Sequence, residues 1–247
     1  MEKLRKPAQG VINIIRFNWH FYVFSVAIMF ILLLFQQKYC YILCVLVLLP
    51  TVTSLAVSYY VYDFSGFYDL KWLNQLKIQN NSKIVNIHAG FDETSHLISQ
   101  KNSNAELYIY DFYDETKHTE VSIKRARKRY PNHEHTKQIQ TSFLPNATAE
   151  IDFIFLIFAA HEIRDDSERI DFFKELNRIL KHDGKIIIVE HLRDLPNLLA
   201  YNIGFLHFLS QRTWYETFKN SGFKINKTTK HTPFVHIFLI EKHDTTP

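Results

Sequence analysis

Cysteine is nearly missing: the 247 residues hold two, Cys40 and Cys44. Four apart, they share a face if their run is helical, and they read as small packing or lipid-facing residues. A disulfide framework is not supported, and the main part of the chain reads as a protein of a reducing compartment. No zinc-finger spacing and no RNA-binding signature occurs. The balance of 29 basic against 25 acidic residues is too mild to imply nucleic acid as a partner. A weak attraction to anionic lipid fits it equally well. Charge is also missing from two long stretches. Phe17 to Phe35 and Tyr39 to Val61 contain no Asp, Glu, Lys or Arg.

Each stretch is about 20 residues, enough for a helix to cross about 30 Å of hydrocarbon. Gln36, Gln37 and Lys38 separate them, so the pair predicts a tight transmembrane hairpin. Pro50 is tolerable as a kink. Two adjacent runs without a small-residue cleavage site argue against a signal peptide. Aromatic residues at their ends (Trp19, Tyr22, Tyr59, Tyr60, Tyr62) argue for a membrane rather than a buried core. Lys3, Arg5, Lys6 and Arg16 precede the first run, and Lys71 and Lys77 follow the second. The positive-inside rule then puts both ends on the cytosolic side. The expected organisation is a basic cytosolic N-terminus (1–16), an integral-membrane hairpin (17–61) and a cytosolic α/β domain (62–247). The hairpin makes the lipid bilayer and a lipid-soluble substrate the expected partners, while oligomeric state is left open.

Past the hairpin, apolar strands alternate with helical patterns. Residues 62–78 carry apolar and aromatic residues at helical spacing. KIVNIH (83–88), ELYIYDF (106–112), KQIQT (137–141), IDFIFLIF (151–158) and KIIIVEH (185–191) read as strands. Residues 93–100, 116–130 and 167–181 read as helices, the last ended by His182-Asp183-Gly184 with glycine as its cap. Alternation of this kind predicts a parallel sheet covered on both faces. Residues 223–230 and 234–241 close the chain as two strands. Their three-residue link is too short for a crossover, so they must pair antiparallel.

This outline resembles that of the class I S-adenosylmethionine (SAM)-dependent methyltransferases. Glu175, Arg178, Leu180, Lys181 and Gly184 resemble that family's E-x-x-R-x-L-K-x-G-G segment, with Asp183 in place of the first glycine. Tyr62-Asp63 and Tyr68-Asp69 resemble its cofactor-lidding helix. The loop Asn86–Asp92 resembles its glycine-rich SAM loop, but only Gly90 is glycine; Asn86 stands in the acidic slot and His88 and Asp92 in glycine slots. The resemblance implies SAM as cofactor, held by Asn86, His88, Gly90, Asp111 (on the ribose), Phe143 (in the adenine-bordering loop 142–145) and Ala160. It implies methyl transfer to an acceptor near the ends of the fourth and fifth strands, where His161, His191 and Glu190 are the expected catalytic residues, a histidine serving as base.

Two alternatives stand beside this. Convergent histidines and carboxylates suit a divalent metal, which would make His88, His161, His191 and Glu162 ligands of a metal-using enzyme that has lost usual SAM binding. The missing glycines also suit a non-catalytic membrane scaffold. The basic residues Lys124, Arg125, Arg127, Lys128 and Arg129 read as a solvated face or as contacts for anionic headgroups.

Overall fold

The computed structural model describes residues 5–118 and 120–243. Its core is a seven-stranded sheet with strands β1 (Lys83–His88), β2 (Glu106–Asp111), β3 (Thr136–Gln138), β4 (Ile151–Ile157), β5 (Leu180–His191), β6 (Phe223–Thr232) and β7 (Val235–Lys242). The order is β3-β2-β1-β4-β5-β7-β6. β3, β2, β1, β4 and β5 run parallel; β7 lies antiparallel between β5 and β6. The strand order reverses between β1 and β4, and a crevice at the carboxyl ends of those strands is where an open α/β sheet binds ligands.

Period-two alternation splits the strand side chains between two cores. Ile154 and Leu156 face one layer, with Phe172, Phe173 and Leu176 of the helix Asp166–Ile179 and Trp214 and Phe218 of the helix Gln211–Asn220. Phe155 and Ile157 face the other, covered by Val61, Phe67, Leu70 and Leu73 from the segment that follows the apolar runs. That covering segment is not the regular helix its spacing predicts. It is a π turn (Tyr60–Phe64) and two 3-10 turns (Phe67–Asp69, Lys71–Leu76). Gly66, Leu70 and Lys77 have positive φ, which breaks regular helix.

In chain order the helices are α1 (Gln9–Phe17), α2 (Trp19–Leu34), α3 (Lys38–Tyr59), α4 (Ser95–Lys101), α5 (Val121–Arg129), α6 (Asp166–Ile179), α7 (Leu195–Tyr201) and α8 (Gln211–Asn220). The expected first span, Phe17–Phe35, is helical over nearly its whole length as α2. A bend of 73° separates α1 from α2. The 16 residues of α2 rise about 24 Å, less than a full hydrocarbon core. The 22-residue α3 contains Pro50 and runs into the π turn; the stretch Lys38–Asp69 is long and apolar enough to cross a membrane. α2 and α3 pack together as a hairpin that leaves large apolar side chains such as Phe24, Phe30, Leu34 and Leu49 more than 60% exposed.

Two further elements begin elsewhere than expected. The helix read from 116 starts at Val121, because Asp114 takes the Thr116 amide and hydroxyl into a turn (2.8 and 2.6 Å). Gly184 does not cap α6. The chain turns extended already at Leu180, and Gly184 sits inside β5. Pairing with β4 jumps from Ile151–Leu180 to Phe153–Lys185, so residues 181–184 bulge. A Cβ on Gly184 would come within 2.8 Å of Leu180 and 3.1 Å of the Asp152 carbonyl.

The E-x-x-R segment acts as a clamp. Arg178 donates to the carbonyls of Asn146 (2.9 Å) and Leu144 (2.8 Å) and to Glu175, while Glu175 accepts the Leu144 amide (3.1 Å). Lys181 reaches Asp152 at 2.7 Å. Arg178→Ala is expected to cost about 2 kcal/mol, since two carbonyls and a carboxylate lose a charged donor; denaturant unfolding with an unchanged m-value checks this.

Candidate active site

The carboxylate of Asp111, at the end of β2, is fully buried and holds four donors. Oδ1 accepts the amides of Gly90 (2.8 Å) and Tyr113 (2.9 Å). Oδ2 accepts Arg127 (2.5 Å) and Asn132 (2.9 Å). Gly90 sits at φ +86, which favours glycine. The space before it is filled: a Cβ there would lie 2.9 Å from the Tyr113 ring and 3.1 Å from Arg127. Arg127 also lies over the Tyr113 ring, 4.4 Å from its centroid. The basic run 124–129, with five Lys and Arg residues, is therefore not simply a solvated face. Arg125 likewise turns inward, to the Phe17 carbonyl (2.6 Å) and His20 (2.8 Å).

The rest of the first loop is braced from several sides. Asn86 donates to Thr94 and Ser95 at the start of α4 (3.2 and 2.7 Å). Asp92 accepts the amides of the same two residues. His88 is 3% exposed, and neither ring nitrogen has a hydrogen-bond partner among the described residues. Burial lowers its pKa despite Asp92 and Asp111 nearby, so it is neutral. α1 closes this end. Its amides Gly10 and Val11 donate to Asp63 (2.7 and 2.9 Å). Arg5, Asn13 and Tyr68 converge on Glu93 (2.9, 3.4 and 2.9 Å). Beyond Tyr113 opens a cleft of about 770 Å³. Phe112, Tyr113, His118 and Ile139 form its less polar wall, Gln140 and Thr141 border it, and Glu168 lies on the α6 side.

At the ends of β4 and β5 lies a second polar group. His161 donates from its backbone to the fully buried Glu190 (3.2 Å), and its Nδ1 lies 2.7 Å from the same carboxylate. His161 Nε2 is 3.2 Å from Glu162, which is 3.3 Å from His207 Nε2. His207 Nδ1 is 2.7 Å from Glu120, which precedes α5. Arg164 contacts the ring and carbonyl of His207. Burial alone would lower the pKa of His161. The Glu190 charge and the bonds to Glu162 and Glu190 outweigh it and push the value up to about 10. The turn is held from behind by buried Arg169, which donates to the Ile163 carbonyl (2.9 Å) and to Thr217 (3.1 Å).

The structure brings His161, Glu162 and Glu190 together, but not with His88 or His191. His88 belongs to the Asp111 group. His191 is stacked between Phe158 (5.0 Å) and Phe208 (4.9 Å); its Nε2 meets the Tyr62 hydroxyl (2.8 Å) and its Nδ1 the Phe234 carbonyl (2.9 Å). So enclosed, His191 has both ring nitrogens engaged within the fold and does not join the His161 group. The four-residue metal set read from sequence therefore does not form. Phe143 points away, 64% exposed with Arg178 over its ring; Gln140, Thr141 and Ser142 line the cleft instead. Asn86 braces α4, and Ala160 is buried in the core. Arg127, Asn132 and Glu120 were not identified from sequence as site residues. They sit in polar segments, where no pattern tells an inward side chain from a solvated one.

A sequence profile of the methyltransferase domain matches residues 101–188. No curated protein matches the chain. Among solved structures, a SAM-dependent methyltransferase from Methanosarcina mazei superposes with a TM-score of 0.52 at 16% identity, over 70% of this chain and 98% of its own. One from Aquifex aeolicus gives 0.52 at 14%, over 77% and 97%. A Pyrococcus horikoshii protein gives 0.54 at 15%, over 73% and 92%. The fold is that of the Rossmann-like SAM-dependent methyltransferases. Within it, the Asp111 group and the cleft lie at the ends of β1, β2 and β3, and the His161 group at the ends of β4 and β5.

Burial lowers the pKa of His191 to about 4. The unfolded chain therefore binds this proton more readily. The neutral form's contribution to stability is present above about pH 6.5 and is lost as pH falls toward 4. Between pH 7 and 5 the loss is expected to be about 2 kcal/mol. His191→Phe, which keeps the stacking, should flatten that dependence in thermal melts; equal acid sensitivity in both proteins would contradict it.

Proposed function

We propose that this protein is a membrane-anchored SAM-dependent methyltransferase that draws its acceptor from the bilayer. One observation carries the membrane part. The exposed apolar surface of α2 and α3 continues onto α7, which packs against α3, and onto the turn Asn202–His207. Leu195, Leu199, Ile203 and Leu206 are all more than half exposed there, with Ile203 at 83%. This strip ends at His207, a member of the polar group at the β4 and β5 ends. An interfacial strip beside an apolar hairpin suits a protein lying on lipid. An amphiphile resting in that interface would have its polar head near His161. The charge asymmetry of the flanking segments favours the cytosolic face.

The nucleoside end of SAM fits the residues present, with one exchange of partners. The cleft has a size and an aromatic wall suited to a nucleoside. Asp111 is the acceptor for ribose hydroxyls, provided that Arg127 releases Oδ2. Polar atoms of His88, of Asn86 and of the Tyr113 hydroxyl, without a partner among the described residues, cluster around the same loop, as expected where a polar ligand is to be received. When bound, SAM supplies an electrophilic methyl on a sulfonium. The chain's share is positioning and handling of the acceptor's proton or charge. The full complement of donors on Asp111 also favours a second reading, a scaffold that binds no SAM.

Calorimetric titration of the full-length protein in detergent separates the two. SAM is expected to bind, and Asp111→Asn to weaken it at least about tenfold, as loss of a buried charged partner does. No heat at millimolar SAM would leave the scaffold reading. With methyl-labelled SAM and a total lipid extract, label is expected in the organic phase. His161→Ala should cut that transfer at least about 100-fold without changing SAM affinity. Leu199→Glu with Ile203→Glu should reduce transfer to vesicle-borne acceptor and leave SAM affinity unchanged; unchanged transfer would remove the bilayer route.

A further inference from the structure

We propose that His161, Glu162 and His207 bind one divalent first-row metal ion on the acceptor side of the site. The three side chains come from two segments, the turn after β4 and the turn before α8, yet their ligand atoms lie within 4.8 Å of one another. Two of the separations, 3.2 Å from His161 Nε2 to Glu162 Oε1 and 3.3 Å from His207 Nε2 to the same oxygen, match what a metal imposes. Bonds of about 2.1 Å put neighbouring ligand atoms about 3.4 Å apart in a tetrahedron and about 3.0 Å apart in an octahedron.

The outer contacts point the same way. In a metal site, an imidazole that ligates through one nitrogen usually gives the other to a carboxylate, which fixes its tautomer and its aim. Both histidines do this. His161 Nδ1 is 2.7 Å from Glu190 and His207 Nδ1 is 2.7 Å from Glu120, which leaves each Nε2 turned toward Glu162. Three carboxylates thus surround two imidazoles, with Arg164 as the neighbouring cation. Arg164 also touches the His207 ring nitrogens, and its side chain, 42% exposed, would withdraw toward solvent when His207 ligates the ion. Side-chain exposures of 11% for His161, 10% for Glu162 and 25% for His207 describe a pocket sheltered on the protein side and open at His207. That is the edge where the apolar strip arrives.

Three protein ligands leave a position for an outside atom. In the methyltransferase reading, on which this clause rests, that atom is an acceptor oxygen: a phenol, enol or alcohol of an amphiphile. Held by the cation, its O–H gives up the proton to solvent. The oxygen lone pair forms the new C–O bond, and the electron pair of the breaking C–S bond stays on sulfur. The site therefore selects oxygen acceptors.

Metal binding itself needs neither SAM nor acceptor, so its test stands apart from the methyl-transfer assay. Full-length protein in detergent, stripped with chelator, is titrated with Co²⁺ by visible absorption and with Zn²⁺ by calorimetry. One ion per chain is expected. Glu162→Gln and His207→Ala should each weaken it at least tenfold, and Glu120→Gln, outside the ligand set, about 10- to 100-fold. Melting of the metal-free variants near the parent's temperature separates lost ligation from lost fold. No binding of either ion at 1 mM, or binding that survives both ligand substitutions, overturns the proposal and leaves a network of ion pairs.

Discussion

A carboxylate sealed from water must be met by donors, and Glu190 meets His161 twice, through the backbone and through the ring. Much of the polar group at the ends of β4 and β5 follows from that pairing. It fixes the turn after β4 against the end of β5 and turns the far ring nitrogen of His161 outward. Removing one partner of so buried a pair is far costlier than the pair is worth, because the survivor keeps its desolvation penalty. Arg169, itself buried, supports the same turn through the Ile163 carbonyl and links it to α8. The β4 and β5 ends thus form a polar wall tied to α6 and α8.

The other half of the crevice is built on a contrary principle. Asp111 also lies in the interior, but one of its donors, Arg127, comes from a surface helix and keeps a side chain 28% exposed. Two amides hold the carboxylate in place whatever Arg127 does. The one glycine retained in the first loop sits where φ is positive, and its neighbour Asp92 organises the next helix by accepting amides. Histidine and aspartate flank that glycine, at positions 88 and 92. Here they are accommodated because His88 turns inward and Asp92 turns toward α4.

Strands β1, β2 and β4 were legible because each is a short apolar run ending in polar residues. The antiparallel closing pair was legible from three linking residues. What escaped was direction. A side chain's position after a strand says that it lies on the rim, not which neighbour it meets. His191 is lost to Tyr62 and Phe158, far away in sequence, while His161 gains His207. The 116–130 stretch has helical composition throughout, yet Asp114 captures its first turn. In the covering segment, apolar residues recur at helical spacing, but residues in the left-handed region prevent a continuous helix. In the last two cases a local hydrogen bond or a backbone constraint overrode the periodic signal.

Because α1 precedes the apolar hairpin and then folds back over the domain, the two sides of that hairpin are stitched together. Trimming the chain at Tyr60 to obtain a detergent-free fragment would discard Arg5, Asn13 and the α1 amides. Glu93 would keep Tyr68, Asp63 would lose its two backbone donors, and Phe91 and Tyr130 would lose the Phe17 ring that packs on both. Such a fragment would retain the sheet while missing a wall of the crevice, and an inert fragment would say nothing about the intact chain.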